Sequence, residues 1–250
     1  MVLSAARIQL CGRLVVRMGG RRIEHELPGR QGRLALAYLA ANRMRPIPRF
    51  ELAEALWPGG LPGSPDTALS ALLSKLRRTL GAEVLSGRST LELALPPGIL
   101  IDTEAALEAI HRAEAAIRRR DFAAAWAPAR VSLHTTSRVF LAGEESPWID
   151  ERRRSLDDVR LRALECVAEA GLGLGPSELD SALRSGRSLI ALAPLRESGY
   201  RLLMEGLVAR GDPAEALVVY NDLRCRLRDE LGVGAGPETQ AVYRRLLALT

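Results

Sequence analysis

The chain has 250 residues, 47% of them hydrophobic, and its 35 Lys and Arg against 30 Asp and Glu give a formal charge of +5. That length accommodates one or two globular domains with a core in each. The sequence has neither an apolar run of spanning length nor a charged leader followed by a long apolar stretch, so a soluble, cytoplasmic chain with no membrane partner is expected.

The first elements read as strands. Ile8, Leu10, Leu14 and Val16 lie in β-compatible runs, and Met18-Gly19-Gly20-Arg21 forms a hairpin turn before Arg22-Ile23. A small antiparallel sheet is therefore expected ahead of three helices. The first spans Arg30 to Asn42, with Leu34, Ala37, Tyr38 and Ala41 spaced to face a core and Asn42 as its stop. The second runs from Pro48 to Trp57, with Pro48 in its first turn and Leu52, Ala55 and Leu56 forming a stripe. The breaker-rich stretch from Pro58 to Pro65 is a loop, and Asp66 beyond it is placed to cap the third helix.

That third helix, Asp66 to Leu80, separates two chemistries. Leu69, Leu72, Leu73, Leu76 and Leu80 follow helical spacing on one side. Ser70, Ser74, Arg77 and Arg78 fall opposite, with Lys75 at their flank. A helix backed by leucine and presenting hydroxyls and cations suits a DNA major groove. From Glu83 to Leu95, alternating leucines and the turn Ser86-Gly87-Arg88-Ser89 read as a β-hairpin, which makes the whole a helix-turn-helix with a wing. Charge follows the same division. Residues 1–100 carry fourteen Lys and Arg against seven Asp and Glu, whereas residues 101–250 carry twenty-one against twenty-three. Positive charge is thus concentrated where a polyanion-binding module is expected.

From about Ile99 no strand pattern recurs. Asp102 to Arg120 and Asp121 to His134 are amphipathic helices, and a longer helix pair fits Pro147 to Glu169. Glu178-Leu179-Asp180-Ser181-Ala182-Leu183 echoes Asp212-Pro213-Ala214-Glu215-Ala216-Leu217, and Ala182 to Ala216 spans 34 residues, the tetratricopeptide (TPR) period. Asp121 to Trp126 is an earlier copy. Stacked helix pairs build a groove for another protein rather than a reaction centre. The fold class is therefore α+β, predominantly α: an N-terminal winged helix-turn-helix with small antiparallel sheets, then a TPR-like α-helical repeat domain.

Little in the sequence resembles a catalyst. His25, His111 and His134 are scattered, and no nucleophile elbow or phosphate-cradling glycine loop occurs. Gly171, Gly173 and Gly175 follow a helix and read as its terminator. Cys11, Cys166 and Cys225 lack metal-ligand spacing and read as reduced structural thiols. Neither a catalytic nor a metal site is assigned, and no cofactor is expected. Arg118-Arg119-Arg120 and Arg152-Arg153-Arg154 read as solvated helix faces, with an anion site for a signalling nucleotide as the sharper alternative.

The order of sheet, three helices and wing resembles an OmpR-type winged helix, with Glu51-Leu52-Ala53-Glu54-Ala55-Leu56-Trp57 in the second helix and Leu73-Ser74-Lys75-Leu76-Arg77-Arg78 in the third. Pro194-Leu195-Arg196-Glu197, Gly211 to Leu217, and Glu230-Leu231-Gly232-Val233 followed by Gly236-Pro237-Glu238 resemble the bacterial transcriptional activation domain. Together they resemble the antibiotic-regulatory (SARP) type of transcriptional activator, divided into a DNA-binding domain at 1–98 and an activation domain at 99–250. The chain departs from that pattern at Asp66, Thr67, Ala71 and Leu72 of the third helix and at Ser89-Thr90-Leu91 of the wing.

The DNA reading assigns Lys75, Arg77 and Arg78 to phosphates or guanine edges, Ser70 and Ser74 to short hydrogen bonds, and Arg88 to the adjacent minor groove. The resemblance implies a homodimer on tandem repeats of double-stranded promoter DNA, touching RNA polymerase or its σ subunit and associated with the nucleoid. A nucleotide or other small-molecule effector is a further candidate partner. The rival reading is a ligand-sensing or protein-docking module whose winged helix binds DNA weakly or only with such an effector.

Overall fold

A computed structural model of the chain describes residues 6–60, 62–81 and 83–248; Leu61, part of the breaker-rich loop, lies outside the described residues. The chain packs into two compact units. One comprises Met1–Ala105 with Thr135–Leu156, the other Ala106–His134 with Asp157–Thr250.

The first unit begins with β1 (Arg7–Gln9), β2 (Val15–Met18), β3 (Arg21–Arg22), α1 (Gly29–Ala41), β4 (Ile47–Pro48), α2 (Arg49–Leu56), α3 (Pro65–Leu80), β5 (Leu85–Ser86), β6 (Thr90–Leu93) and β7 (Leu100–Ile101). Alternation sets the register of the first sheet: Ile8 lies opposite Val16 on one side and Ile101 on the other, all three buried, while Arg7 and Arg17 point to solvent. The order is β3-β2-β1-β7. This sheet is mixed rather than wholly antiparallel, because β7 returns parallel to β1 after the helices and the wing. The second sheet, β4-β6-β5, is antiparallel and contains the wing hairpin, with Leu85 opposite Leu93.

Two helix starts differ from expectation. Ser64 occupies the N-cap of α3 and Pro65 its first turn, which moves Asp66 inside the helix. Pro48 is extended and pairs with Thr90, so α2 starts one residue later. Leu72, expected in the buried stripe of α3, is only half-buried.

The segment Thr135–Leu156 completes the core of this unit. Phe140, Leu141, Ile149 and Leu156 pack into the cluster that holds Ile8, Leu36 and Leu52. Trp148 stands edge-on to Tyr38 at 5.0 Å and to Phe140 at 5.9 Å. The cluster Arg152-Arg153-Arg154 is accordingly not a uniform solvated face. Arg152 donates to the Ala41 carbonyl and to Asn42 Oδ1, and Arg153 donates to the carbonyls of Phe140, Leu141 and Glu144. Asp102 is buried, and its carboxylate accepts the main-chain N–H groups of Leu10 at 2.8 Å and Cys11 at 3.0 Å. Burial pushes the pKa of Asp102 up and that of the neighbouring Cys11 thiol to about 12, which leaves the thiol protonated and inert.

The helices that follow are α4 (Asp102–Arg118), α5 (Phe122–Thr136), α6 (Pro147–Leu174), α7 (Leu179–Leu192), α8 (Glu197–Arg210), α9 (Pro213–Leu231) and α10 (Pro237–Leu247). The alanines that mark the repeat, Ala125, Ala182 and Ala216, are all buried, as positions where neighbouring helices approach closely require. Gly171 and Gly173 do not terminate a helix. Both lie within α6, where a Cβ on Gly173 would overlap the Phe122 ring and one on Gly171 would crowd Ala182, so they are packing positions. Only Gly175 stands beyond the helix end.

Ion pairs join helices in the second unit. Glu114 on α4 accepts Arg162 Nε at 2.6 Å and Nη2 at 2.7 Å from α6, in a two-pronged arrangement. The Arg162 hydrogen bond holds the Glu114 carboxyl below its ordinary range, against the opposing effect of burial. A depressed carboxylate pKa contributes stability that is present above the ordinary value of 4.5 and lost as pH falls through the folded value. Glu114→Gln should therefore lower the melting temperature at neutral pH by roughly 1–4 °C, and the difference from the unaltered chain should shrink on acidification. A melting-temperature difference that stayed constant from pH 7 into acid would contradict this.

Candidate nucleic-acid interface

Helix α3 has three faces because its residues recur every 3.6 positions. Leu69, Leu73, Leu76 and Leu80 are buried and fix the helix on the core. Thr67, Ala71, Ser74 and Arg78 lie on the far side, exposed. The two flanks differ in character. One carries Asp66, Ser70 and Arg77 toward α2 and the wing. The other carries Ala68, Leu72, Lys75 and Thr79, which with Trp57 line an open groove of about 840 Å³.

Of the six residues assigned to nucleic acid, Ser74, Lys75, Arg78 and Arg88 are exposed, and among the described residues their side chains meet no hydrogen-bond or ion-pair partner. Arg78 closes the outer face of α3 in its last turn, where a cation also complements the helix dipole. Arg88 stands at the tip of the wing.

The other two are engaged within the fold. The Ser70 hydroxyl accepts Arg49 Nη2 at 2.8 Å. Arg77 is half-buried; its Nε donates to the Leu85 carbonyl at 2.9 Å and its Nη2 to the Gly87 carbonyl at 2.6 Å. Arg49 was invisible to helical periodicity because it lies on α2, and only the fold brings it to Ser70. Its main-chain N–H also donates to the Ser89 carbonyl at 3.1 Å, joining the start of α2 to the wing.

The wing turn depends on Gly87. Its φ is +90°, and a Cβ there would overlap the Thr90 carbonyl oxygen, which is main chain and cannot swing away. Gly87→Ala is expected to cost roughly 1–3 kcal/mol and to loosen the wing. Thermal melts together with exchange of the paired β5–β6 amides would show this, and unaltered exchange there would refute it.

Residues 101–247 match the family model of the bacterial transcriptional activator domain. The chain belongs to that family. Relatives of this bacterial transcriptional activator domain protein include the regulatory protein AfsR of Streptomyces coelicolor, 34% identical over 219 residues that cover 87% of this chain and 22% of AfsR. The transcriptional regulatory protein MoaR1 of Mycobacterium tuberculosis is 26% identical across 98% of this chain and 80% of its own length. The chain therefore spans about a fifth of AfsR but most of MoaR1. Mycobacterium tuberculosis EmbR, solved in complex with a low-affinity phosphopeptide, superposes with a TM-score of 0.83 over 98% of this chain and 65% of the EmbR chain, at 21% identity. That likeness supports a winged helix joined to a helical domain. With the regulators it matches, the family assignment bears out the SARP-type resemblance.

Among the described residues no helix is long and apolar enough to cross a membrane, and no group of three or more His, Cys, Asp and Glu is placed to hold a metal ion.

Proposed function

We propose that this chain is a DNA-binding transcriptional regulator, with residues 1–98 carrying the DNA contacts and residues 99–250 the activation function. One observation carries the reading: the outer face of α3 presents Ser74 and Arg78, its groove flank Lys75 and the tip of the wing Arg88 to solvent, with no partner for their side chains among the described residues. Unpaired cations on a leucine-backed helix beside an exposed arginine on a hairpin fit a duplex, with phosphates supplying most of the affinity and making it salt-sensitive. Ser70 contributes to this surface through its bond with Arg49.

The family relationship extends the proposal. Two copies would occupy tandem repeats of promoter DNA, the helical unit would pair the copies and reach RNA polymerase or its σ subunit, and the complex would reside with the nucleoid in the cytoplasm. Titration with an upstream promoter fragment at several salt concentrations tests the reading. Salt-dependent binding is the expected result; binding to a protein or small ligand with none to DNA would overturn it in favour of a docking or ligand-sensing module.

A further inference from the structure

We propose that Arg77 is a positioning residue that clamps the wing to α3, so that Arg88 and the outer face of the helix meet nucleic acid as one preformed surface, and that its guanidinium is not itself a phosphate contact. This rests on the DNA-binding reading above and assigns Arg77 a role different from that of its neighbours Lys75 and Arg78.

The wing is a small structure. β5 has two residues and β6 four, and a hairpin of that size is marginal when nothing supports it. Its two sides are supported differently. On the β6 side, Ile47 and Pro48 of β4 pair with Leu91 and Thr90, and the Arg49 N–H reaches the Ser89 carbonyl. On the other side β5 is the edge strand, with unpaired main-chain groups that need a partner from outside the sheet. Arg77 supplies it. Its guanidinium bridges the Leu85 and Gly87 carbonyls, one within β5 and the other immediately before Arg88.

Arginine suits this task and lysine does not. The planar fork holds two donors at fixed separation and direction, so it can bind two carbonyls at once, whereas an ammonium group is a point charge on a flexible stem. The position of Arg77 on the flank of α3 agrees with this role. It is one residue before Arg78, which lies on the outer face, and that step turns its side chain toward the wing. A wing held in place before binding avoids the cost of ordering it on the duplex.

The experiment compares the full chain with Arg77→Ala, Arg77→Lys, Arg88→Ala, the Arg77→Ala/Arg88→Ala pair, and Arg78→Ala as a control. Amide exchange is read without DNA, and binding to a short random-sequence duplex is read across salt concentrations. Both Arg77 variants should speed exchange of the paired β5–β6 amides, the Ala94 N–H that donates to the Val84 carbonyl among them, by about tenfold or more, while Arg78→Ala leaves it unchanged. Both should weaken duplex binding by similar factors, and the double variant should bind no more weakly than Arg88→Ala alone.

Arg77→Lys binding as tightly as the unaltered chain while Arg77→Ala loses affinity would overturn the proposal, because charge alone would then suffice. So would losses that multiply in the double variant. Unchanged exchange in both Arg77 variants overturns it independently of DNA. Failure of the unaltered chain to bind any duplex would instead remove the DNA reading, and the exchange measurements would still judge the clamp.

Discussion

Replacing Lys75, Arg78 and Arg88 together by alanine is expected to weaken binding to duplex DNA by at least about 100-fold, since each cation lost from a phosphate or base contact costs of order 1 kcal/mol or more. The salt dependence should flatten as well. Each phosphate contact contributes roughly 0.9 to the slope of log affinity against log salt, so three lost contacts remove between two and three. None of the three side chains has a hydrogen-bond or ion-pair partner among the described residues, so the substitutions should leave the fold intact. Fluorescence anisotropy across a salt series, with circular dichroism as the folding check, measures both effects. A triple variant that binds with unchanged slope would show that another surface meets the DNA.

The largest expected effect on stability comes from Asp102→Ala, a loss of about 2–4 kcal/mol in the first unit. The Asp102 carboxylate accepts two main-chain N–H groups, from Leu10 and Cys11, at a position 2% exposed. Alanine leaves both donors without that acceptor in a buried place, and an unsatisfied buried group costs far more than an ordinary hydrogen bond gains. Asp102→Asn retains the side chain's shape and one oxygen acceptor but turns an amide NH₂ toward the second N–H, so it should fall between the two. Chemical denaturation of the three chains tests the order; equal midpoints would show that the carboxylate contributes nothing net.

Much of this architecture was legible from spacing. The leucines of α3 and the alanines at 125, 182 and 216 recur with helical and repeat periods, and all but Leu72 of these positions are buried. The alternation Leu91, Leu93 and the turn Ser86–Ser89 mark the wing hairpin in the sequence, with Leu85 opposite Leu93 in the fold. What escaped was set by distant pairing or by a neighbour's bulk. β4 and β7 have two residues each, too few to show any alternation, and exist only because β6 and β1 lie beside them. Gly171 and Gly173 resemble a helix stop in sequence, yet the Phe122 and Trp126 rings and Ala182 explain them as places where a side chain would not fit. The candidate site divided in the same way. Ser74, Lys75, Arg78 and Arg88 are exposed as their pattern implied, whereas the inward turn of Arg77 and the bond from Arg49 to Ser70 depend on the wing and on α2.

The participation of Phe140, Leu141, Ile149 and Leu156 in the first core has a bearing on biosynthesis. A ribosome releasing this chain must deliver the intervening stretch 106–134 before the last apolar layer of the earlier unit emerges. Until Trp148 clears the exit tunnel Tyr38 lacks its aromatic neighbour, and until Leu156 does the cluster that holds Ile8 is incomplete. A message cut short after residue 105 would consequently yield a fragment lacking Phe140, Leu141, Ile149 and Leu156 of its own core, and one prone to aggregate.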